Sequence, residues 1–251
     1  MQDLDGLWWL LLLLGPLLFL QRRLHLETQA VFLLLTRRGD LALVLYSVLF
    51  FPGVLLHETS HYLMARMLGV RTGRFSVMPR PLPGGRLQLG FVETSSADIF
   101  RDALIGLAPL LAGGTFVAYA GLSRLGLPRL WEGLASGSVS IASSLEDLQH
   151  MPDFWLWFYL TFTVSSTMMP SPSDRNAWLP LVLIAAFLLA IGLAVGAGPW
   201  LMDNFSRPIN QAFQSVALIF GIAGGVHLVL LPPVWLIRLL LMRVTGLRVV
   251  G

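Results

Sequence analysis

Residues 41–70 read LALVLYSVLF FPGVLLHETS HYLMARMLGV, and His57-Glu58-Thr59-Ser60-His61 lie inside that apolar run. An apolar stretch of this length predicts a helix that crosses a membrane. On a helix, residues four apart stand one above the other, so His57 and His61 present ring nitrogens to one point in space and form half of a metal site. Glu58 falls at the edge of the same face, near enough to exchange a proton with a water at the metal and too poorly aimed to ligate it; it reads as the general base. The competing reading has two helix histidines satisfied by neighbours, with Glu58 paired to an arginine such as Arg66. That reading leaves a carboxylate and two imidazoles without a use in an apolar run, where such groups are costly.

The rest of the chain points to the same setting. Of its 251 residues 55% are hydrophobic and 12% charged, against about 25% charged in a soluble domain, and the mean hydropathy is +0.72. The predicted fold class is an all-α polytopic membrane protein, with residues 1–251 forming a single integral-membrane domain. All seventeen basic residues are arginine and cysteine is absent, which excludes disulfides, thiolate ligands and a cysteine nucleophile. The net charge of +3 reads as loop arginines that set orientation and touch the anionic surface of the lipid bilayer, not as a nucleic-acid surface.

Six spans are expected, at 7–20, 41–69, 103–122, 154–169, 178–197 and 213–241. The first follows Asp3 and Asp5 and lacks a small-residue cleavage pattern, so it reads as a retained span and not a signal peptide. The short apolar core 30–35 reads as an interfacial helix. After the histidine helix, Phe75 and Val77 alternate with polar neighbours, Pro81-Leu82-Pro83-Gly84-Gly85 signals a turn, and Leu87, Leu89 and Phe91 alternate again. This predicts a small membrane-associated β-hairpin. It either packs on headgroups or offers a free edge to an extended substrate. Residues 123–152, with Glu146, Asp147 and His150, read as a loop with an interfacial piece, in which His150 is solvated and not a ligand. The fourth span carries Thr161, Thr163, Ser165, Ser166 and Thr167, hydroxyls that pack helices or admit water. Pro170 and Pro172 then break it and leave Asp174 in a bent, partly buried loop. The sixth is interrupted by Pro232-Pro233 and contains His227, read as a satisfied core histidine.

A catalytic zinc takes three protein ligands and leaves one position open. The helix gives two; Asp174 is the best candidate for the third and His227 the runner-up. With these residues the chain resembles the site-2 protease family of intramembrane zinc metalloproteases. His57, Glu58 and His61 match its His-Glu-x-x-His in full. Ala108-Pro109-Leu110, followed by Gly113 and Gly114, stands for its Gly-Pro element. Thr167-Met168-Met169-Pro170-Ser171-Pro172-Ser173-Asp174-Arg175 stands for its proline-rich loop, one residue shorter, with Thr for Asn and Arg for Gly. The resemblance covers about 41–175. It implies Zn²⁺ held by His57, His61 and Asp174, Glu58 as the catalytic base, and weak substrate contacts from Pro109, Gly113, Thr167 and Asn176. The implied substrate is a transmembrane protein or peptide.

Two other classes stay open. One is a non-proteolytic zinc-binding membrane protein, a pseudoprotease or a transporter, although the paired broken spans of a transporter are not seen. The other is a prenyl-protein type of metallopeptidase, whose third ligand would be Glu93, Glu132 or Glu146, all in loops. Six spans put both termini on one side together with the hairpin. That side holds nine arginines (Arg71, Arg74, Arg80, Arg86, Arg101, Arg175, Arg238, Arg243, Arg248) against seven (Arg22, Arg23, Arg37, Arg38, Arg124, Arg129, Arg207). The count predicts cytoplasmic termini and a cytoplasmic hairpin, and it agrees with the resemblance, which implies a site opening toward the cytoplasm of the cell membrane.

Overall fold

A computed structural model describes residues 5–81, 87–135 and 151–248. Among them are seven α-helices and a small β-structure. Helix α1 (Asp5–Thr36) is followed by α2 (Gly39–Met67). The turn between them is tight because Arg37 takes a left-handed conformation, φ 54°. α2 stops where Gly69, at φ 71°, lets its amide reach the Arg66 carbonyl and the Val70 amide reach Ala65. This is the usual glycine termination of a helix. Strands β1 (Thr72–Ser76), β2 (Arg80–Pro81), β3 (Leu87–Gln88) and β4 (Phe91–Thr94) come next. Asp98 then caps α3 (Ile99–Tyr119), its carboxylate accepting from the Arg101 amide at 3.1 Å. A π turn at Ala120–Arg124 leads to α4 (Leu127–Ala135), and the chain continues with α5 (Phe154–Thr167), α6 (Trp178–Ala194) and α7 (Gly198–Thr245).

The predicted hairpin forms, as two nested antiparallel pairs. β1 pairs with β4, with Ser76 opposite Phe91, and β2 pairs with β3, with Pro81 opposite Leu87. The turn predicted at 81–85 lies, beyond Pro81, outside the described residues, as do Glu146, Asp147 and His150. Of the segment 123–152, in which a loop with an interfacial piece is expected, the described part after the π turn holds the helix α4.

The expected six spans do not form. Among the described residues four helices are long and apolar enough to cross a membrane: α1, α2, α3 with its π turn, and α7. The span 7–20 and the separate interfacial helix at 30–35 are one continuous helix, α1. Its charges are absorbed sideways, since Glu27 is bonded to Arg238 of α7 and lies 3.3 Å from Arg23. Likewise 213–241 is only part of the 48-residue α7, which runs through Pro232 and Pro233 without a break. Neighbouring groups can satisfy carbonyls that prolines free inside membrane helices. α5 has 14 residues and at 1.5 Å per residue spans about 21 Å, short of a hydrocarbon core of about 30 Å. The 17-residue α6 buries none of its residues.

Side-chain register fixes the directions. Gly6 meets Asn210, Gly221 meets Leu13 and Glu27 meets Arg238, so α1 and α7 run parallel. Tyr159 bonds to the Leu49 carbonyl and Gly53 packs on Thr163, so α2 and α5 also run parallel. α1, α2, α3, α5 and α7 therefore alternate in direction and leave no crossing for α6. The start of α1 and the end of α7 lie at opposite ends of the bundle, which corrects the expectation of termini on one side. Arg207 moves to the hairpin end, and Arg238, Arg243 and Arg248 move away from it. The arginine count thus turns from nine against seven to seven against nine, and it no longer assigns the hairpin to the cytoplasm.

Two buried clusters hold the helices together. Leu17, Val117, Val164, Met168, Phe220 and Ala223 join α1, α3, α5 and α7. Leu24, Tyr46, Phe50, Val54, Phe162 and Val226 join α1, α2, α5 and α7. The candidate site lies where α2, α3 and the end of α5 meet.

Candidate metal centre

His57 and His61, one turn apart on α2, turn inward with their Nε2 atoms 3.2 Å apart. Asp174, on the loop after α5, closes the group: its Oδ1 is 3.4 Å from His61 Nε2 and its Oδ2 is 3.7 Å from His57 Nε2. A tetrahedral zinc with bonds of about 2.0–2.1 Å has ligand–ligand edges of roughly 3.3–3.4 Å. The three separations are close to such an edge, the two from Asp174 being made by its two different oxygens, and with one ligand atom taken from each residue all three lie within 4.8 Å of one another. Among the described residues, His57, His61 and Asp174 are the one group of three or more histidines or carboxylates placed to hold a metal ion.

Hydrogen bonding gives an independent reason. His57 Nδ1 is 2.6 Å from the Thr167 carbonyl, and His61 Nδ1 is 2.8 Å from the Ile105 carbonyl. A carbonyl only accepts, so in the neutral rings each Nδ1 carries the hydrogen and each Nε2 is a bare lone pair. Two lone pairs and a carboxylate then face one another with no hydrogen to share. Such a set calls for a cation, and the donor chemistry suits a catalytic metal. The Ser171 amide donates to Asp174 Oδ2 at 2.7 Å and helps to hold the carboxylate in place.

Three glycines let backbone and side chains come close enough. At Gly106 of α3 an added Cβ would lie 2.9 Å from the carbonyl carbon of Asp174 and overlap its oxygen, so only glycine admits the Asp174 loop at this depth. At Gly90, between β3 and β4, it would lie 2.7 Å from Glu58 Cγ and 2.9 Å from Oε1. Gly53 of α2 gives the same access to Thr163 and Thr167 of α5. The hairpin thus roofs the site, with Gly90 lying on buried Glu58 and Leu89 packed against the cluster around Phe50. Gly90 is not among the residues that the sequence marks, because a glycine in an alternating stretch carries no signal of what it faces.

The remaining predicted residues are distributed as follows. Pro109 is fully buried within α3, and Gly113 is buried against Met168 Cβ. The Thr167 hydroxyl bonds back to Thr163 while its carbonyl holds His57. Asn176 is exposed in the turn after Asp174. His227 does not join the group: fully buried, it places Nδ1 2.7 Å from the Ala223 carbonyl and Nε2 3.0 Å from Ser166 Oγ. Glu93 and Glu132 are exposed, and Glu146 lies outside the described residues. The hydroxyls of Thr161, Thr163, Ser165 and Thr167 all bond back to carbonyls of their own helix. Arg66 is exposed on α2, away from buried Glu58.

Comparisons with models of protein families, with curated proteins and with solved structures found no match to this chain. The likeness to the site-2 protease family therefore rests on the three short motifs. Fold and centre together define a helical bundle with four helices fit to cross a membrane and a two-histidine, one-aspartate group that can hold a metal ion.

Proposed function

We propose that this chain is an intramembrane zinc metalloprotease of the site-2 type, cleaving peptide bonds within or near transmembrane helices of other proteins. The observation that carries this reading is the set of three acceptors, His57 Nε2, His61 Nε2 and Asp174, at 3.2–3.7 Å from one another with both Nδ1 hydrogens spent on carbonyls. Zn²⁺ bound there supplies Lewis acidity toward a peptide carbonyl and acidifies a water at neutral pH. Glu58, adjacent to His57 and beneath Gly90, takes the proton of the attacking water and returns it to the leaving nitrogen. The carbonyls of Thr167 and Ile105 keep both rings aimed. The short α5 supports the reading as well, because it lets the polar loop 168–175 end within the depth of the bundle.

The decisive experiment uses purified chain in detergent or liposomes. Zinc near one equivalent by mass spectrometry, with chelator-sensitive cleavage of a transmembrane-helix peptide, is the expected result. Absence of both removes the proposal. One observation favours a non-proteolytic variant: Thr167 and Asn176, at or near the places where the family carries its polar clamp, turn back to their helix or out to solvent. Zinc without cleavage in the same assay selects that variant, a pseudoprotease that retains its substrates.

A further inference from the structure

Inside a helix, the carbonyl of residue i accepts from the N–H of residue i+4. A proline at i+4 has no N–H, so the carbonyl is left open. In α3 the carbonyl that receives His61 Nδ1 at 2.8 Å belongs to Ile105, and the residue four places on is Pro109. At the end of α5 the same device appears. Pro170 leaves the Ser166 carbonyl open, and it accepts from Gln21 Nε2 of α1. The helix having ended, the Ser171 amide turns to Asp174, and the Thr167 carbonyl that it would have met holds His57 Nδ1 at 2.6 Å. Both imidazoles of the centre are therefore oriented by backbone carbonyls without a helical partner, and one of those carbonyls is open because of a single proline.

We infer that Pro109 is a positioning residue of the metal centre. By lacking an N–H it reserves the Ile105 carbonyl for His61, which fixes the Nδ1–H tautomer and turns Nε2 toward His57 and Asp174. The inference rests on the metal-centre reading above, and it gives Pro109 a different task from the substrate contact that the family likeness implies. A ring that is fully buried in α3 has no surface to offer a substrate. Partners that orient a metal-ligating histidine through its second nitrogen commonly govern metal affinity by about 10–100-fold.

The test is Pro109→Ala in the full chain, beside a variant with lactic acid at position 109. Lactic acid keeps the alanine side chain but replaces the N–H by an ester oxygen. Alanine restores an N–H that competes with His61 for the Ile105 carbonyl; the ester does not. Zinc affinity by chelator competition is expected to fall about 10–100-fold in the alanine variant and to return to within about threefold of the parent in the ester variant. Thermal unfolding of Pro109→Ala stays level or rises, because helix propensity favours alanine. A merely structural proline would not separate affinity from stability in this way. ¹⁵N spectra of His61 in metal-free protein are expected to show the Nδ1–H tautomer in the parent and a mixture in Pro109→Ala. Unchanged affinity together with an unchanged His61 spectrum in Pro109→Ala overturns the inference. Equal loss in both variants overturns it too, by showing that ring packing is what counts. If the parent holds no zinc, the metal reading fails by itself, and the His61 tautomer still decides what Pro109 does.

Discussion

Gly106→Ala is the substitution that tests the centre most sharply without touching a ligand. Its Cβ would fall 2.9 Å from the Asp174 carbonyl carbon, with the oxygen closer still, and backbone cannot swing aside as a flexible side chain does. To bring the Asp174 oxygen back to ordinary contact the loop must retreat by about 1.5 Å, and overpacking of this kind costs roughly 1–3 kcal/mol. The better helix propensity of alanine offsets about 1 kcal/mol of that, so the net loss of stability is small. The effect on the centre is large, because Asp174 sits 3.4 and 3.7 Å from the two imidazoles and a shift of about 1.5 Å takes one ligand out of a tetrahedral set. Zinc affinity should fall about 100-fold, the upper range for disturbed ligand support. Gly114→Ala, on the same helix, is the matched control: its Cβ would meet Ile219 Cδ1 at 3.4 Å, ordinary contact with a side chain. The assay is chelator competition for zinc, with thermal unfolding in detergent run on the same samples. If Gly106→Ala is folded and binds zinc within about twofold of the parent, Asp174 is not a ligand held by this contact and the geometry of the centre is wrong.

Glu58→Gln should keep zinc and lose about 10²–10⁴-fold in turnover, since it removes a proton carrier and no ligand; retained cleavage would move the base elsewhere. Glu27→Ala leaves Arg238, whose side chain is 17% exposed, without its nearest carboxylate and should cost about 3 kcal/mol in denaturant unfolding. Glu27→Leu with Arg238→Met should recover most of that loss, and failure to recover would mean that the pair does more than neutralise itself. Reporter domains fused before residue 5 and after residue 248 should sit on opposite sides of the membrane, because α1 and α7 run parallel; reporters on one side would contradict the helix directions.

The half of the site that is local along the chain is legible from the amino acids alone. His57 and His61 meet because helix periodicity by itself stacks residues four apart, and Pro170 and Pro172 announce a broken helix end that could bring Asp174 to them. What is not legible is set by contacts between distant residues. Arg22 and Arg23 look like the end of a span, because hydropathy cannot know that Glu27 and Arg238 will neutralise charge between two helices. The count of six spans fails at α6, whose apolar composition implies a crossing that the direction of α7 does not allow. Gly90 and Gly106 are illegible for a third reason: glycine carries no chemistry of its own, and its use here is the nearness of Glu58 or Asp174.

The parallel pairing of the first helix with the last bears on how the molecule comes to exist. α1 and α7 make the most extensive helix–helix interface in the bundle, yet Gly6 and its neighbour Asn210 are separated by 204 positions. During synthesis His57 and His61 enter the bilayer long before α7 is made, and until then α1 lacks its main neighbour. Closing so long a loop is entropically slow and waits for the end of translation. The chain is therefore built with its chemistry early and its clasp late.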